Sequence, residues 1–441
     1  MPADRILDRL RAAARAAAAD PPRPVRVPGR AAADPGPDGD EPVRPAGAAD
    51  TIAGVPARYL ATPRDTAQAA AVLRAAAGLE LAVTVRGGGT KQDWGNPPRR
   101  LDLILDTTAL AGVVEHAAGD LITVVRAGTA LDLLASTLAG AGQQLAVDPP
   151  VTGGTVGGAV ATNTAGPRRL LYGTPRDLLI GVTLVRADGV VARAGGKVVK
   201  NVAGYDLGKL VAGAYGTLGL ITECAFRLHP LPAAAAYVSR TVDDPAAAGR
   251  LAAAVRAGQL VPAGLEVDAP PDGPATVTVL IEGTRAGVAA RAAAARRLLG
   301  AGARSTDRPP GGWGSLPWTA GGTGLKLTAA LSGVPRLLAD ARAAAERHGL
   351  PLALRGSAGV GVLYAGLPGP ADPERVAALV DTVRTATAAV AGHTVVVTAP
   401  PAVRARVDLW GPVDGLALMR RIKQRFDPDA RLAPGRFVGG I

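Results

Sequence analysis

Apolar and polar positions divide the chain into four stretches. Residues 1–50 open with an Ala-rich segment, to about position 20, whose composition favours a helix. The adjoining segment, "PPRPVRVPGRAAADPGPDGDEPVRPAG", is rich in Pro, Gly and charge, and residues 1–50 as a whole are expected to form a disordered, Ala/Pro-rich appendage. Folded structure is expected from near Ala53. Residues 51–232 then alternate short β and α units. "DTAQAAAVLRAAAGL" has helical spacing, with Asp65 or Thr66 as N-cap. "LAVTVRGGGT" is a strand running into a glycine loop, and "LDLILDTT" is a second strand. "VVEHAAGDLITVVRAG" predicts a hairpin turned at Ala118–Asp120, and Asp188-Gly189 a second hairpin turn. "TALDLLASTLAGAG" is a helix closed by glycine, and "GTLGLITECAFRLHPLP" a strand ended by prolines.

Residues 233–405 have a different texture. Helical "DDPAAAGRLAAAVRAG", "TRAGVAARAAAARRLLGAG" and "VPRLLADARAAAERHG" alternate with strand-like "ATVTVLIEG", "GLKLTAALS", "VGVLYAGLP" and "HTVVVTAP". That pattern predicts a second, α+β domain. Residues 406–441 hold a last helix, "VDGLALMRRIKQRF", and a Pro/Gly-rich tail.

Composition adds limits. Aromatic residues make up 3% of the chain, so Ala, Val and Leu must fill its cores. The net charge of +12 raises the question of nucleic acid. Arginine is scattered, its longest clusters are pairs, and stacking aromatics are few, so no nucleic-acid partner is expected. A single cysteine, Cys224 in the apolar run "LITECAFRL", excludes an internal disulfide, a self-contained iron–sulfur cluster and a Cys-based zinc site. No apolar run is long enough to span a bilayer, and the charged N-terminus lacks a signal-peptide core. A cytoplasmic protein is expected, associated with a membrane only through partners.

Candidate chemistry lies in three glycine-rich segments: "RGGGTKQDWG" (86–95), "DPPVTGGTVGGAVATNTAGPRRLLYG" (148–173) and "GGKVVKNVAGYDLGKLVAGAYGTLG" (195–219). None fits the phosphate-loop or G-x-G-x-x-G fingerprints. Their glycines still let backbone N–H groups approach oxyanions, and three such loops together point to a large phosphate-bearing cofactor. The third segment also concentrates Lys and Asn, which are rare elsewhere.

In this order, "VRGGGTKQDWG", "DPPVTGGTVGGAVATNTAGPRRLLYGTPRDLLIG", "GGKVVKNVAGYDLGKL" and "GTLGLITE" resemble the FAD-binding domain of the vanillyl-alcohol oxidase/p-cresol methylhydroxylase family. Within it, they are most similar to the FAD-binding subunits of glycolate oxidases. The resemblance runs from Ala53 to Pro232 and extends to the tail. It implies an α+β fold with a two-subdomain PCMH-type FAD-binding domain, an α+β cap and a C-terminal tail returning to the FAD domain. It implies a first pyrophosphate loop of Arg86, Gly87, Gly88, Gly89, Thr90 and Lys91. Thr155, Gly157, Gly158 and Asn163 would form a second wall. Pro150, Arg169, Tyr172, Gly173 and Asp177 would lie near the flavin or its ribityl chain. Gly216, Thr217 and Ile221 would pass the adenine. Lys200, Asn201 and Tyr205 would face the cofactor, Asp206 would cap a helix, and Lys197 and Lys209 would face solvent. Gly89-Thr90 stands where covalent relatives place a histidine, so FAD is expected to be non-covalent. Tyr215 and Ala433 replace the Glu and Asn usual in catalytic relatives.

Oxidising a 2-hydroxy acid at a flavin needs a base for the hydroxyl proton and a cation for the carboxylate. His116, His229, His348 and His393 show no paired spacing, and each reads as structural. Lys326 and Arg355 are candidate cap cations, with a solvated strand position as the plainer reading. The catalytic residues are unassigned. The resemblance therefore implies a second flavoprotein subunit that takes part in electron transfer, beside a catalytic flavoprotein and an iron–sulfur subunit. The alternative is a free-standing FAD-dependent dehydrogenase or oxidase for a 2-hydroxy acid or polyol.

Overall fold

A computed structural model describes residues 2–17, 41–197 and 204–441. Lys200 and Asn201, expected to face the cofactor, lie outside the described residues. A four-stranded sheet comes first, in spatial order 43–45, 59–61, 103–106 and 83–86. Its last three strands are parallel and its first is an antiparallel edge. The helix Thr66–Gly78 packs on it, capped by Asp65, whose carboxylate accepts from Gln68 N. The next sheet has five antiparallel strands, in order 191–195, 179–185, 220–227, 122–126 and 113–117. Both hairpins form as the sequence indicates, one through a single turn at Ala118–Asp120 and one through Gly189 at φ +78°.

The cap is one eight-stranded sheet, in order 304–306, 234–242, 275–283, 264–269, 353–357, 362–367, 323–328 and 394–398. Strict alternation gives it two unlike faces. Val267, Val277, Val279, Leu325, Leu327, Leu354 and Leu363 share one core with the helices Pro245–Ala257, Arg285–Leu299, Val334–Arg347 and Pro373–Ala388. With so few aromatics, the helices reach the sheet through Ala248, Ala252, Ala292, Ala341 and Ala344. The strands Gly264–Ala269 and Ala353–Ser357 and the helix Pro373–Ala388 were not anticipated. The strands are short and carry Glu266, Asp268 and Arg355, so hydropathy alone hides them. The helix is declared by its cap: Asp372 accepts from Glu374 N and Arg375 N beside Pro373.

Two expectations need correction. The first part of residues 1–50 is not a loose appendage. Ala3–Ala16 is a helix whose Ile6, Leu10 and Ala14 are buried in the first core. Gln68 Nε2 donates to Ala14 O at 3.1 Å, and Tyr59 Oη to Ala3 O at 3.2 Å. Folded structure also resumes at Val43, ahead of Ala53. No helix among the described residues is long and apolar enough to cross a membrane.

The tail returns to the start of the fold. Val83 N donates to Arg431 O, and Ala433 N to Val83 O, both at 2.8 Å, which adds Leu432 beside the 83–86 strand. Leu10→Ala should lower the stability of the FAD-domain transition by about 2–5 kcal/mol through the cavity it leaves. Urea denaturation of the full chain checks this, and an unchanged midpoint would mean the helix is not anchored there.

Candidate functional site

The strand Val83–Arg86 leaves the sheet into Gly87, Gly88 and Gly89. A Cβ on Gly88 would sit 2.2 Å from Gly153 O, so only glycine lets the first loop lie against the second. The second loop enters the helix Val156–Thr162, where Thr155 Oγ1 accepts from Gly158 N at 3.2 Å. The third wall is the turn from Ala214 to Ile221. These walls bound a cleft lined by Gly87 to Gln92, Thr155, Gly157, Gly158, Thr162, Tyr215, Gly216, Ile221 and Arg436.

The cleft is built for an anion. The backbone N–H groups of Gly87, Gly88, Gly89 and Thr90 have no protein acceptor among the described residues. Lys91 is buried, its ammonium 5.8 Å from the centre of the Trp94 ring and 3.4 Å from Thr90 Oγ1. Burial pulls its pKa down to about 8. Arg436 reaches in from the tail and donates to Gln92 O at 3.0 Å and Trp94 O at 2.8 Å. Burial lowers it to about 10. Neither cation has a carboxylate ion-pair partner among the described residues. Two buried, unneutralised cations beside four free N–H donors make a diphosphate the chemically matched guest.

Several residues expected at the cofactor have other places. Arg86 turns away from the cleft into ion pairs with Asp50 (3.0 Å) and Asp106 (2.9 Å). Asn163 ends the 156–162 helix in the left-handed conformation and accepts from Arg176 N. Tyr172 donates to Glu282 of the cap at 3.0 Å and stacks edge-on with His229. Gly173 lies against Asp177, whose carboxylate caps Thr174. Thr217 is buried and bonds Ala214 O, outside the cleft lining. Tyr205 is 93% exposed. Pro150 and Arg169 line a second cavity, toward the cap. Asp206 does cap its helix, accepting from Lys209 N. Lys197 pairs with Glu115 at the surface, whereas Lys209 is partly buried and donates to Leu179 O at 2.8 Å. Each histidine sits in a structural setting: His116 on Gln143, His348 on Thr382, His393 on Trp410 O and His229 against Tyr172. Cys224 is buried, which raises its thiol pKa.

Residues 57–195 match the family described as FAD binding domain, and residues 407–437 match the C-terminal domain of FAD linked oxidases. Residues 57–195 of this chain form an FAD binding domain. It is 37% identical over 162 residues to glycolate oxidase subunit GlcE of Escherichia coli, covering 36% of this chain and 46% of that one. It is 34% identical over 168 residues to a D-lactate dehydrogenase of Archaeoglobus fulgidus, covering 38% of each. The matched region thus spans less than half the length of these curated relatives. The solved structure of p-cresol methylhydroxylase with substrate bound shares the fold, with a TM-score of 0.70 over 86% of this chain and 88% of that one at 16% identity. FAD is the cofactor, and its diphosphate matches the donor set of the cleft.

Arg436 and Tyr215 are among the lining residues that sequence reading missed, with Gln92 and Thr162. Arg436 sits in the tail, 344 residues from Gln92, and no local pattern marks it. Tyr215 lines the cleft at φ +55° and packs against Trp410 and Phe437, its ring centre 5.2 and 5.7 Å from theirs. The available signal was the replacement of Glu at that position. Lys91→Met is expected to weaken FAD binding about ten- to a hundredfold, the worth of a charge-assisted hydrogen bond. Wild-type affinity should also fall as pH rises through about 8, where the Lys91 ammonium loses its charge, and the variant should lack that fall. Fluorescence titration of the apoprotein with FAD reads both effects.

Proposed function

We propose that the chain is an FAD-binding flavoprotein subunit of a complex that oxidises a 2-hydroxy acid of the glycolate class. In this reading it takes part in electron transfer within that complex. The observation carrying the reading is the cleft in which Lys91, Arg436 and the N–H groups of Gly87 to Thr90 stand without anionic partners among the described residues. Names of relatives support the substrate class: a glycolate oxidase subunit and a D-lactate dehydrogenase. FAD, when bound, supplies a two-electron acceptor for hydride. The chain's own residues would neutralise its diphosphate and enclose it. With Gly89-Thr90 in place of a histidine, the cofactor is held non-covalently. A catalytic flavoprotein and an iron–sulfur subunit are the proposed partners, in a cytoplasmic complex, because a lone buried cysteine supplies no cluster ligands.

A second reading, a free-standing FAD-dependent 2-hydroxy acid dehydrogenase, is favoured by the likeness to a D-lactate dehydrogenase. Anaerobic addition of glycolate or D-lactate separates the two. The subunit reading predicts no flavin bleaching by the isolated chain and bleaching once the partner subunits are added. Rapid bleaching by the chain alone would favour the free-standing enzyme. Acid precipitation should release all the flavin into the supernatant; flavin retained in the pellet would refute non-covalent binding.

A further inference from the structure

Tyr215 is held in a strained backbone conformation at the cleft. It stands at φ +55° in "GAYGTLG", in the left-handed region that a bulky residue rarely enters, between Gly213 at +79° and Gly216 at +75°. The turn sends neighbouring side chains to opposite sides. Ala214, Leu218 and Ile221 join the core of the five-stranded sheet, whereas Tyr215 packs on the core of the cap. Its ring meets those of Trp410 and Phe437. Gly95 makes room for this group: a Cβ there would lie 3.3 Å from Trp410 Cζ2 and 3.6 Å from Tyr215 Cε1. The ring therefore has one position, fixed from the cap, the tail and the first loop together.

The protein makes no use of the Tyr215 hydroxyl. No hydrogen bond joins it to another described residue, although the side chain is enclosed. Burial raises its pKa, so it keeps its proton and remains a donor. No carboxylate lines the cleft among the described residues to accept from it. Water can take this bond while the cleft is empty. A guest that displaces the water has to replace the bond or leave a buried O–H unpaired, which is costly.

The lining of the cleft orders its guest. The N–H groups of the first glycine loop and Lys91 match the diphosphate. Val85, Ala127, Val211, Leu218 and Ile221 form an apolar end suited to adenine. Tyr215 marks the other end, toward the cap, which leaves that end for the flavin ring. The ring's carbonyl oxygens and unprotonated nitrogens are hydrogen-bond acceptors, the complement of a phenol O–H. We propose that the Tyr215 hydroxyl donates to an acceptor atom of the flavin ring, so that Tyr215 recognises the flavin half of FAD and not its ADP half. The inference rests on the FAD reading of this cleft, deepens it, and is independent of the complex proposed above.

Calorimetric titration of the full-length apoprotein with FAD and with ADP tests this. The wild type should bind FAD more tightly than ADP. Tyr215→Phe keeps the packed ring and removes only the hydroxyl. It should weaken FAD about three- to tenfold, the worth of one hydrogen bond, and leave ADP unchanged. Lys91→Met should weaken both ligands, because they share the diphosphate. The midpoint potential of the bound flavin, measured by equilibration with a reference dye, gives a second readout. The ring's acceptors gain negative charge on reduction, so a bond donated to them strengthens. The potential of Tyr215→Phe should therefore lie below that of the wild type, whereas a purely structural role for the ring would leave it unmoved. Equal affinity for FAD and ADP in the wild type overturns the proposal without recourse to any variant. So does an equal loss for both ligands in Tyr215→Phe, or a variant with wild-type FAD affinity and potential. A wild-type chain that takes up neither ligand sinks the FAD reading of the cleft itself.

Discussion

The buried ammonium of Lys423 holds the site together. It donates to Thr217 O and Leu432 O, both at 2.8 Å, and to Asp427 at 2.7 Å. Burial lowers its pKa, and the Asp427 carboxylate works against that shift. Three acceptors are what a buried ammonium requires, and each ties down a different part of the chain. Thr217 belongs to the third wall of the FAD cleft, Leu432 to the tail beside the first sheet, and Asp427 to the turn between helix and tail. Asp427 in turn accepts from the N–H groups of Arg431 and Leu432. From this point the tail runs on to place Arg436 in the cleft and Phe437 against Tyr215 and Trp410.

The cap obeys a different constraint. A sheet has two faces, and four helices cover one of them with alanine and branched aliphatic side chains. The other face carries Thr278, Glu266 and Ser357 beside the small apolar cluster of Tyr237, Ala263 and Leu280, and the FAD domain meets it at Glu282. Glu282 joins the two units through Arg168 at 2.6 Å and Tyr172 at 3.0 Å. Once the domains are fixed in this way, Glu266 and Ser357 are shut away from water although their strands look ordinary. The burial of Glu266 and Ser357 is thus a product of domain contact rather than of any local motif.

Local signals in the sequence were read well. Asp65 before an alanine run, Asp188-Gly189 between two strands, and glycines after "VTV" each act within a few residues, so composition and order suffice to read them. The walls of the cleft at Gly87 to Lys91, Thr155 to Gly158 and Gly216 were legible for the same reason. Roles that depend on distant partners were not. Arg86 reads as a loop residue until Asp50 and Asp106 close on it. Tyr172 reads as a flavin neighbour until Glu282 arrives from the cap. Glu266 was invisible because a single carboxylate in a strand says nothing about what will cover it. Leu10 and Ala14 were misread with their Pro-rich neighbours, since the helix that buries them begins some fifty residues later.

The tail's place in the first sheet has a consequence for biosynthesis. Arg436 meets Gln92 and Trp94 across more than three hundred residues, and Leu432 lies beside Val83 only after the whole cap has been made. During translation the glycine loops emerge long before the segment that closes their cleft. The nascent chain therefore exposes an unfinished pocket, whose lining is complete only when Arg436 has left the ribosome. A product broken off before Arg436 would hold the flavin more weakly and leave Val83 without its Leu432 neighbour, open to degradation.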